Sequence, residues 1–375
     1  MFRPQIQKTY VLFLIALFNL LLIYISANSY EYIKKDGLSQ KMRATEIMSE
    51  CNKFLSKQVD ISSHDIYKSG LVGLESSYIT TILENDSINL RDSKVACTHP
   101  NFAALVVEMF QEIELKNNDS IAVSMTGSLP GANLAVLAAA KAMDLNVTLI
   151  SSVGSSAWGA NEENYSWLEI ESLLYENNLI NYKSIAASIG GENDLGDNLS
   201  DKGIEIIEDI IYSKDINFIN NNNLNENIAS KIQLYKNKKT ISNYKAYINV
   251  GGGASSIGFG EGKEKMKIGV IYPIERDEIN FEGFENSAAS YFLDNDVIFI
   301  NIKSINLLAK KAGLYPPNAS ITINNGDLFY LKGKYNLSVI LISIIFSLCS
   351  IGGVGIYSHM EIKKRMQQYE PDSII

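Results

Sequence analysis

Residues suited to ligand binding lie in a short segment that is rich in hydroxyl groups and glycine. Ser124 and Thr126 end an apolar stretch, and Gly127 and Ser128 follow them. Glycine lets a ligand approach the backbone closely, and hydroxyl groups both donate and accept hydrogen bonds. If a helix starts after this turn, its free N–H groups suit an anion. The segment therefore predicts a site for a polar, charged small molecule.

Two later turns have the same character. Gly190 and Gly191 precede several carboxylates, among them Asp194, and Gly251 and Gly252 follow another apolar stretch. If the strands before these turns are neighbours, the turns meet at one edge of a sheet, where α/β proteins bind their ligands. Carboxylate oxygens would also suit a hard metal ion. The three cysteines and three histidines show no metal-like spacing, and we predict neither a metal nor a cofactor.

The loop after the second predicted strand contributes a large aromatic side chain. Trp158 and Trp167 flank this loop, and they either pack it on the core or form the wall of a ligand pocket. The predicted ligand-binding residues are Ser124, Thr126, Gly127, Ser128, Trp158, Gly190, Gly191, Asp194, Gly251 and Gly252.

Catalysis is the alternative to simple binding. The candidate residues are Ser128 as a nucleophile, together with His99 and Asp194. A serine nucleophile needs a base, but a lone histidine before a helix is more often structural. The chain has no G-x-G-x-x-G after the first strand, no P-loop motif and no G-x-S-x-G motif, which excludes the usual nucleotide sites and the nucleophile elbow.

The elements around the first turn predict a βαβ unit. A strand at Ile121–Ser124 leads to an Ala-rich helix that ends near Met143, and a β-branched strand follows at Val147–Ser151. The segment 69–101 shows no clean period, so we expect a loop with short elements there. Further strands are predicted at Lys183–Ser188, Ala246–Val250, Ile268–Tyr272 and Val297–Ile300. The pattern predicts an α/β fold, a mostly parallel sheet with helices on both faces that is Rossmann-like.

Two uncharged apolar stretches predict transmembrane helices at residues 10–28 and 337–356. Each matches the ~20 residues that cross a bilayer. A cleaved signal peptide is the rival interpretation of the first stretch, but no A-x-A motif follows it. We divide the rest into an N-terminal tail (1–9), a stalk helix (29–68), a soluble α/β domain (69–334) and a C-terminal tail (357–375).

The charges around the spans bear on orientation and partners. Lys363, Lys364 and Arg365 follow the second span and favour a cytoplasmic C-terminus. The soluble domain would then be extracytoplasmic, at the cell membrane, with membrane lipid as one partner. Basic residues after the first span argue the other way, although long domains can cross regardless of such charges. The net charge of -9 argues against nucleic acid as a partner.

Short segments in order along the soluble part also carry a family resemblance. They include Ser69-Gly70-Leu71-Val72-Gly73, Pro100-Asn101-Phe102, Gly127-Ser128-Leu129-Pro130-Gly131, Ser156-Ala157-Trp158-Gly159, Ala186-Ala187-Ser188-Ile189-Gly190-Gly191 and Asn249-Val250-Gly251-Gly252. With these segments the sequence resembles the bacterial poly-gamma-glutamate system protein family.

That resemblance implies a membrane-associated accessory of poly-gamma-glutamate synthesis or export. We expect the domain to bind glutamate or the polymer and to assist synthase or export subunits. A hydrolase or transferase that trims or anchors the polymer is the alternative. The resemblance supplies no catalytic residues, so the choice between binding and catalysis stays open at this point.

Overall fold

Two compact units make up the protein in the computed structural model, which describes residues 9–81, 87–260, 262–279, 281 and 283–369. The larger unit is Lys35–Phe329, and the smaller one combines the chain up to Lys34 with the chain from Tyr330 onward.

Strands and helices alternate through most of the described residues. The strands are β1 (Tyr30–Lys34), β2 (Ser120–Thr126), β3 (Asn146–Ser152), β4 (Asn161–Glu162), β5 (Tyr165–Ser166), β6 (Ala186–Ser188), β7 (Asn217–Ile219), β8 (Ala246–Val250), β9 (Gly269–Ile271), β10 (Ile298–Ile302) and β11 (Tyr330–Tyr335). The helices are α1 (Thr9–Ala27), α2 (Leu38–Leu55), α3 (Ser87–Thr98), α4 (Asn101–Glu112), α5 (Pro130–Ala142), α6 (Trp167–Glu176), α7 (Asp201–Tyr212), α8 (Leu224–Lys238), α9 (Ala254–Ile257), α10 (Gly262–Lys265), α11 (Ala288–Leu293), α12 (Ile305–Lys311) and α13 (Leu337–Tyr369).

The larger unit is built on a seven-stranded sheet with the order β7-β6-β3-β2-β8-β10-β9. Neighbouring strands are parallel except for β9, which pairs antiparallel with β10. This confirms the predicted α/β class and the mostly parallel sheet. From β2 the chain first moves outward through β3, β6 and β7, and it then returns to place β8 on the other side of β2. The strand order therefore reverses between β2 and β8, where open α/β sheets form their ligand crevices.

Helices cover both faces of this sheet. Ala186 of β6 belongs to a core with Tyr235 of α8 and Phe292 of α11. Its neighbour Ala187 belongs to a second core with Ile207 of α7. Because consecutive residues of a strand point to opposite faces, the two cores lie on opposite sides of the sheet.

The prediction of a loop with short elements between residues 69 and 101 was wrong for its second half. Helix α3 occupies Ser87–Thr98 and packs on α5 and α12. Lys94 is buried on this helix beside Val95, Ala96 and Cys97. A lysine on the buried side interrupts the apolar periodicity, so this periodicity does not predict helix α3.

The stretch predicted as a stalk is divided between the two units. β1 lies in the smaller unit, whereas the chain from Lys35 onward belongs to the larger one. Helix α2 packs on α4 and α5, and it buries Ala44, Met48 and Leu55. The apolar residues that recur at helical spacing in α2 are therefore part of the core of the larger unit.

The smaller unit joins two apolar helices through a short sheet. Helices α1 and α13 are long and apolar enough to cross a membrane, and they contact each other. Ser347 of α13 donates a hydrogen bond to the side-chain oxygen of Asn19, the one polar interruption of the first apolar stretch. β1 and β11 pair antiparallel with Tyr30 opposite Tyr335. The sheet therefore holds the end of α1 beside the start of α13.

This pairing predicts the side of the membrane on which each terminus lies. If both helices cross the bilayer, they enter it from the same side, and both termini should emerge together on the opposite side. Paired reporters fused to the N- and C-termini should read out in one compartment. If the mature protein lacks the N-terminal reporter, the first apolar stretch has been cleaved off. If the two reporters read out in different compartments, the two helices do not enter the membrane from the same side.

Candidate functional site

The turns after adjacent strands lie side by side at the carboxyl edge of the sheet. The N–H of Gly127, after β2, donates to the carbonyl of Ser152 at 2.9 Å. The N–H of Gly154, after β3, donates to the carbonyl of Ile189 at 2.8 Å. The turn at Gly190 therefore adjoins the one after β3, and that turn adjoins the one at Gly127.

The turn after β8 is pressed against the end of β2. A Cβ on Gly251 would lie 2.2 Å from Thr126 Oγ1, and the φ of Gly251 is 102°. The next two residues, Gly252 and Gly253, are partly exposed. Only a glycine tolerates both this conformation and this approach. The structure thus brings the predicted turns of β2 and β8 together at the point where the strand order reverses.

Hydroxyl groups form a buried cluster below these two turns. Ser124 Oγ lies 2.6 Å from Ser256 Oγ, which belongs to α9 just after the glycines. Thr126 Oγ1 is buried and has no hydrogen-bond partner among the described residues, and the same holds for Asn249 Oδ1. Buried polar atoms without partners are rare in folded proteins. These two atoms indicate a place for a ligand group or a bound water.

A lysine that sequence reasoning missed completes this cluster. The side chain of Lys231, on α8, donates to Ser255 Oγ at 2.6 Å and lies 3.4 Å from both Ser124 Oγ and Ser256 Oγ. Burial lowers the pKa of Lys231, and the charge of Asp194 opposes that shift. The available signal was a lysine on the apolar face of α8, because Lys231 lies at helical spacing from Ile228 and Tyr235.

Asp194 joins the same cluster from the turn after β6. Its Oδ1 accepts a hydrogen bond from Ser188 at 2.7 Å, and its backbone carbonyl accepts one from Asn227 at 2.9 Å. Asn227 precedes Lys231 by one turn of α8. Asp194 Oδ2 is buried and has no hydrogen-bond partner among the described residues. Asp194 therefore provides negative charge near Lys231 from a buried position.

The start of α5, where an anion was expected, is closed. The thiol of Cys97 lies beside the backbone N–H groups of Gly131 and Ala132, which lower its pKa. Burial raises the pKa of Cys97 to about 12, and these N–H groups only partly oppose the shift. A neutral thiol thus takes the place that the sequence assigned to an anion. The open backbone at this edge is at Gly252 and Gly253 instead.

Two lysine side chains lie beside the partly exposed backbone of Gly252. Lys263 Nζ donates to the carbonyl of Gly252 at 3.0 Å, and Lys303 Nζ donates to the carbonyl of Lys263 at 3.0 Å. A Cβ on Gly252 would lie 3.9 Å from Lys263 Nζ and 4.0 Å from Lys303 Cε. The arrangement favours an anionic ligand group over a cationic one.

Ser128 lies beside a second buried lysine. Its Oγ accepts a hydrogen bond from the backbone N–H of Ser156 at 3.0 Å, and its carbonyl accepts one from Lys94. Lys94 Nζ lies 2.6 Å from Ser156 Oγ. Burial lowers the pKa of Lys94 to about 8. Sequence reasoning missed Lys94 because it missed the helix that carries it.

His99, the second catalytic candidate, holds backbone segments together. Its Nδ1 accepts a hydrogen bond from the N–H of Asn101 at 3.1 Å, and its Nε2 lies 3.3 Å from the carbonyl of Ile321. The ring packs edge-on against Tyr67 with centroids 4.8 Å apart, and burial lowers the pKa of His99. Its described hydrogen bonds lead neither to Ser128 nor to Asp194, so the geometry favours a structural role.

Trp158 packs its loop against the segment before β2. Its backbone N–H donates to the carbonyl of Leu74 at 2.7 Å, and its ring lies edge-on to His64 with centroids 5.1 Å apart. The residues after it line a small cleft together with residues 59–62 and 70–73. Trp158 thus packs the loop, and the cleft adjoins the turn of Ser156, because the N–H of Gly159 donates to the carbonyl of Ser156 at 3.1 Å.

Metal binding and relationships to known proteins give no further guide to this site. Among the described residues, no three His, Cys, Asp or Glu side chains come together as metal ligands would. No model of a known protein family, no curated protein and no solved structure matches the chain. The function must therefore be argued from the residues at the carboxyl edge.

Proposed function

We propose that this chain is a membrane-anchored protein whose larger unit binds a carboxylate-bearing ligand between the ends of β2 and β8. The ligand class is glutamate or poly-gamma-glutamate, and the partners are synthase or export subunits of that polymer. One observation carries the proposal. Thr126 Oγ1 is buried without a partner among the described residues, beside the partly exposed backbone of Gly252 and Gly253.

The charge distribution supports an anionic ligand. Lys263 and Lys303 lie beside Gly252, and Lys231 lies below it among three serine hydroxyls. A carboxylate gains strong hydrogen bonds from backbone N–H groups and ammonium groups. The position at the reversal of strand order agrees with the common location of ligands in open α/β sheets.

The membrane and polymer parts of the proposal have separate support. Helices α1 and α13 are long and apolar enough to anchor the protein in a membrane. The choice of poly-gamma-glutamate comes from the family resemblance of the sequence, and two segments that carry it, 127–131 and 249–252, lie at this edge. An extracytoplasmic position of the larger unit remains part of the proposal.

Calorimetry on the full chain in detergent micelles tests binding. Poly-gamma-glutamate and free glutamate are titrated into the wild type and into Gly252→Glu. The added carboxylate should fill the open space beside Lys263 and Lys303 and repel the ligand, which should weaken binding at least about tenfold, or about 1.4 kcal/mol.

The matched control is Gln233→Glu, which adds the same charge on the exposed side of α8. This variant should bind as the wild type does. If neither ligand gives heat with the wild type, or if Gly252→Glu binds as tightly as the control, the proposed site is wrong.

A hydrolase or transferase remains the second candidate because of one contact. Ser156 Oγ and Lys94 Nζ are 2.6 Å apart, as a nucleophile and its base should be. The candidates chosen from sequence were Ser128, His99 and Asp194, and Ser156 and Lys94 were not among them.

A further inference from the structure

We propose that Ser156 and Lys94 form a nucleophile and general-base pair for acyl transfer at an amide bond. The substrate class, an amide-linked carboxylate polymer, rests on the proposed function, whereas the pair itself rests on its own geometry. Serine–lysine pairs are a known variant of the serine, histidine and aspartate arrangement.

The contacts around Lys94 orient its amine toward Ser156. Lys94 donates one hydrogen bond to the carbonyl of Ser128 and lies 2.6 Å from Ser156 Oγ. In the neutral amine, that first hydrogen bond leaves the lone pair to accept the Ser156 hydroxyl proton. Ser128 also fixes the backbone of Ser156, because its Oγ accepts the Ser156 N–H at 3.0 Å. Ser128 is therefore a positioning residue in this arrangement.

The surroundings of Lys94 favour the neutral amine that a base requires. Burial lowers the pKa of Lys94 to about 8, and the neighbouring thiol of Cys97 opposes this shift only in part. Lys94 forms no ion pair with a carboxylate among the described residues, in contrast to Lys41 with Glu108 at 3.4 Å. A general base works best when its pKa lies near the working pH.

Both members of the pair are buried beside an accessible turn. Lys94 is 3% exposed and Ser156 is 7% exposed, whereas Ser128 beside them is partly exposed. Both groups are thus shielded from water, and a substrate would reach them from the side of Ser128. That turn follows β2, so the pair lies at the same edge as the proposed ligand site.

The reaction balances with water or an amine as the second reactant. Ser156 Oγ bonds to the amide carbon while its proton moves to Lys94. The carbon–nitrogen bond then breaks, and Lys94 returns the proton to the leaving amine, which leaves an acyl-serine ester. Water, or the amine of a second chain, attacks the ester and passes a proton through Lys94 to Ser156 Oγ. Water gives hydrolysis, and an amine gives transfer.

A fluorophosphonate reagent tests the pair without any polymer. The full chain in detergent micelles is treated with the reagent, and the modified peptide is located by mass spectrometry. We expect labelling at Ser156 in the wild type, with a rate that rises through pH 8. Ser156→Ala should lose this label. Lys94→Met should slow the labelling at least about a hundredfold, the scale of general-base catalysis.

Two controls separate chemistry from misfolding. Ser120→Ala removes a buried serine at the start of β2 that accepts a hydrogen bond from another lysine, Lys239, and it should label as the wild type does. Ser156→Cys keeps a nucleophile beside Lys94. Iodoacetamide should therefore alkylate this cysteine faster in the single variant than in the double variant Ser156→Cys with Lys94→Met. Absence of label at Ser156 in the wild type, or an unchanged rate in Lys94→Met, overturns the proposal.

The outcome is independent of the binding experiment. Labelling at Ser156 without heat from polymer or glutamate would support the pair and refute the proposed ligand. Binding heat in the titration with polymer, without labelling at Ser156, would refute the pair and leave a binding protein. Shortening of polymer by the wild type, and not by Ser156→Ala, would support both.

Discussion

Replacing Gly127 by alanine should lower the free energy of unfolding of the larger unit by about 1–3 kcal/mol, the range for overpacking a filled interior. A Cβ at Gly127 would lie 2.4 Å from the carbonyl oxygen of Val153. That oxygen belongs to the backbone after β3, which cannot rotate away as a side chain could. The turn after β2 would have to separate from the turn after β3, and binding at this edge should weaken as well.

Gly252→Ala is the matched control for this substitution. Among the described residues, the atom nearest to a Cβ at Gly252 lies 3.9 Å away, so the effect of Gly252→Ala should stay within about 0.5 kcal/mol. Urea unfolding followed by tryptophan fluorescence measures both variants, because Trp158 and Trp167 both lie in the larger unit. Equal stability of the two variants would show that the turns do not meet as described.

Lys231→Ala should destabilise the larger unit by about 2–5 kcal/mol, as large-to-small changes in a core do. The side chain of Lys231 is 2% exposed, and its removal leaves a cavity beside α9. The substitution also removes the donor to Ser255 at 2.6 Å. Lys238→Ala on the exposed side of the same helix is the control, and it should change stability by no more than about 0.5 kcal/mol.

The difference between the wild type and Lys231→Ala should also depend on pH. Burial lowers the pKa of Lys231 below its ordinary value of 10.5. Between the folded pKa and 10.5 the unfolded chain binds one more proton, so the free energy of unfolding rises with pH. The free-energy cost of burying the charged form of Lys231 is complete below its pKa in the folded protein, and it disappears above 10.5.

The wild type should therefore gain stability relative to Lys231→Ala as the pH rises toward 10.5. Lys94 titrates in the same direction, but it is present in both proteins and cancels from the difference. Urea unfolding at several pH values measures this effect. A difference that shrinks as the pH rises would mean that the charged form of Lys231 is favoured by folding, which contradicts its described surroundings.

Local patterns in the sequence predicted most strands of the seven-stranded sheet, but they missed helix α3 and set the ends of elements only approximately. The first strand, predicted at Ile121–Ser124, extends over Ser120–Thr126, and the third, predicted at Lys183–Ser188, is shortened to Ala186–Ser188. The second apolar helix continues to Tyr369, past the predicted residue 356. Apolar periodicity reports which side of an element is buried, whereas the ends depend on partners that the pattern does not contain.

The sequence alone predicted the α/β class, the mostly parallel sheet, the two long apolar helices and the glycine-rich turns. Each of these follows from residues close together in the chain, through backbone preferences and apolar spacing. The turns could be located in this way, although their order along the edge could not.

The polar groups that meet could be identified only from the fold. Lys94 and Ser156 are 62 positions apart, and Lys231 and Ser124 are 107 apart. It also placed Cys97 at the start of α5, where an anion was expected. Such contacts depend on the order of the strands and on which face each helix covers, and neither property is encoded in a local period. Lys94 and Lys231 could therefore be recognised as site residues only after the sheet had placed serines beside them.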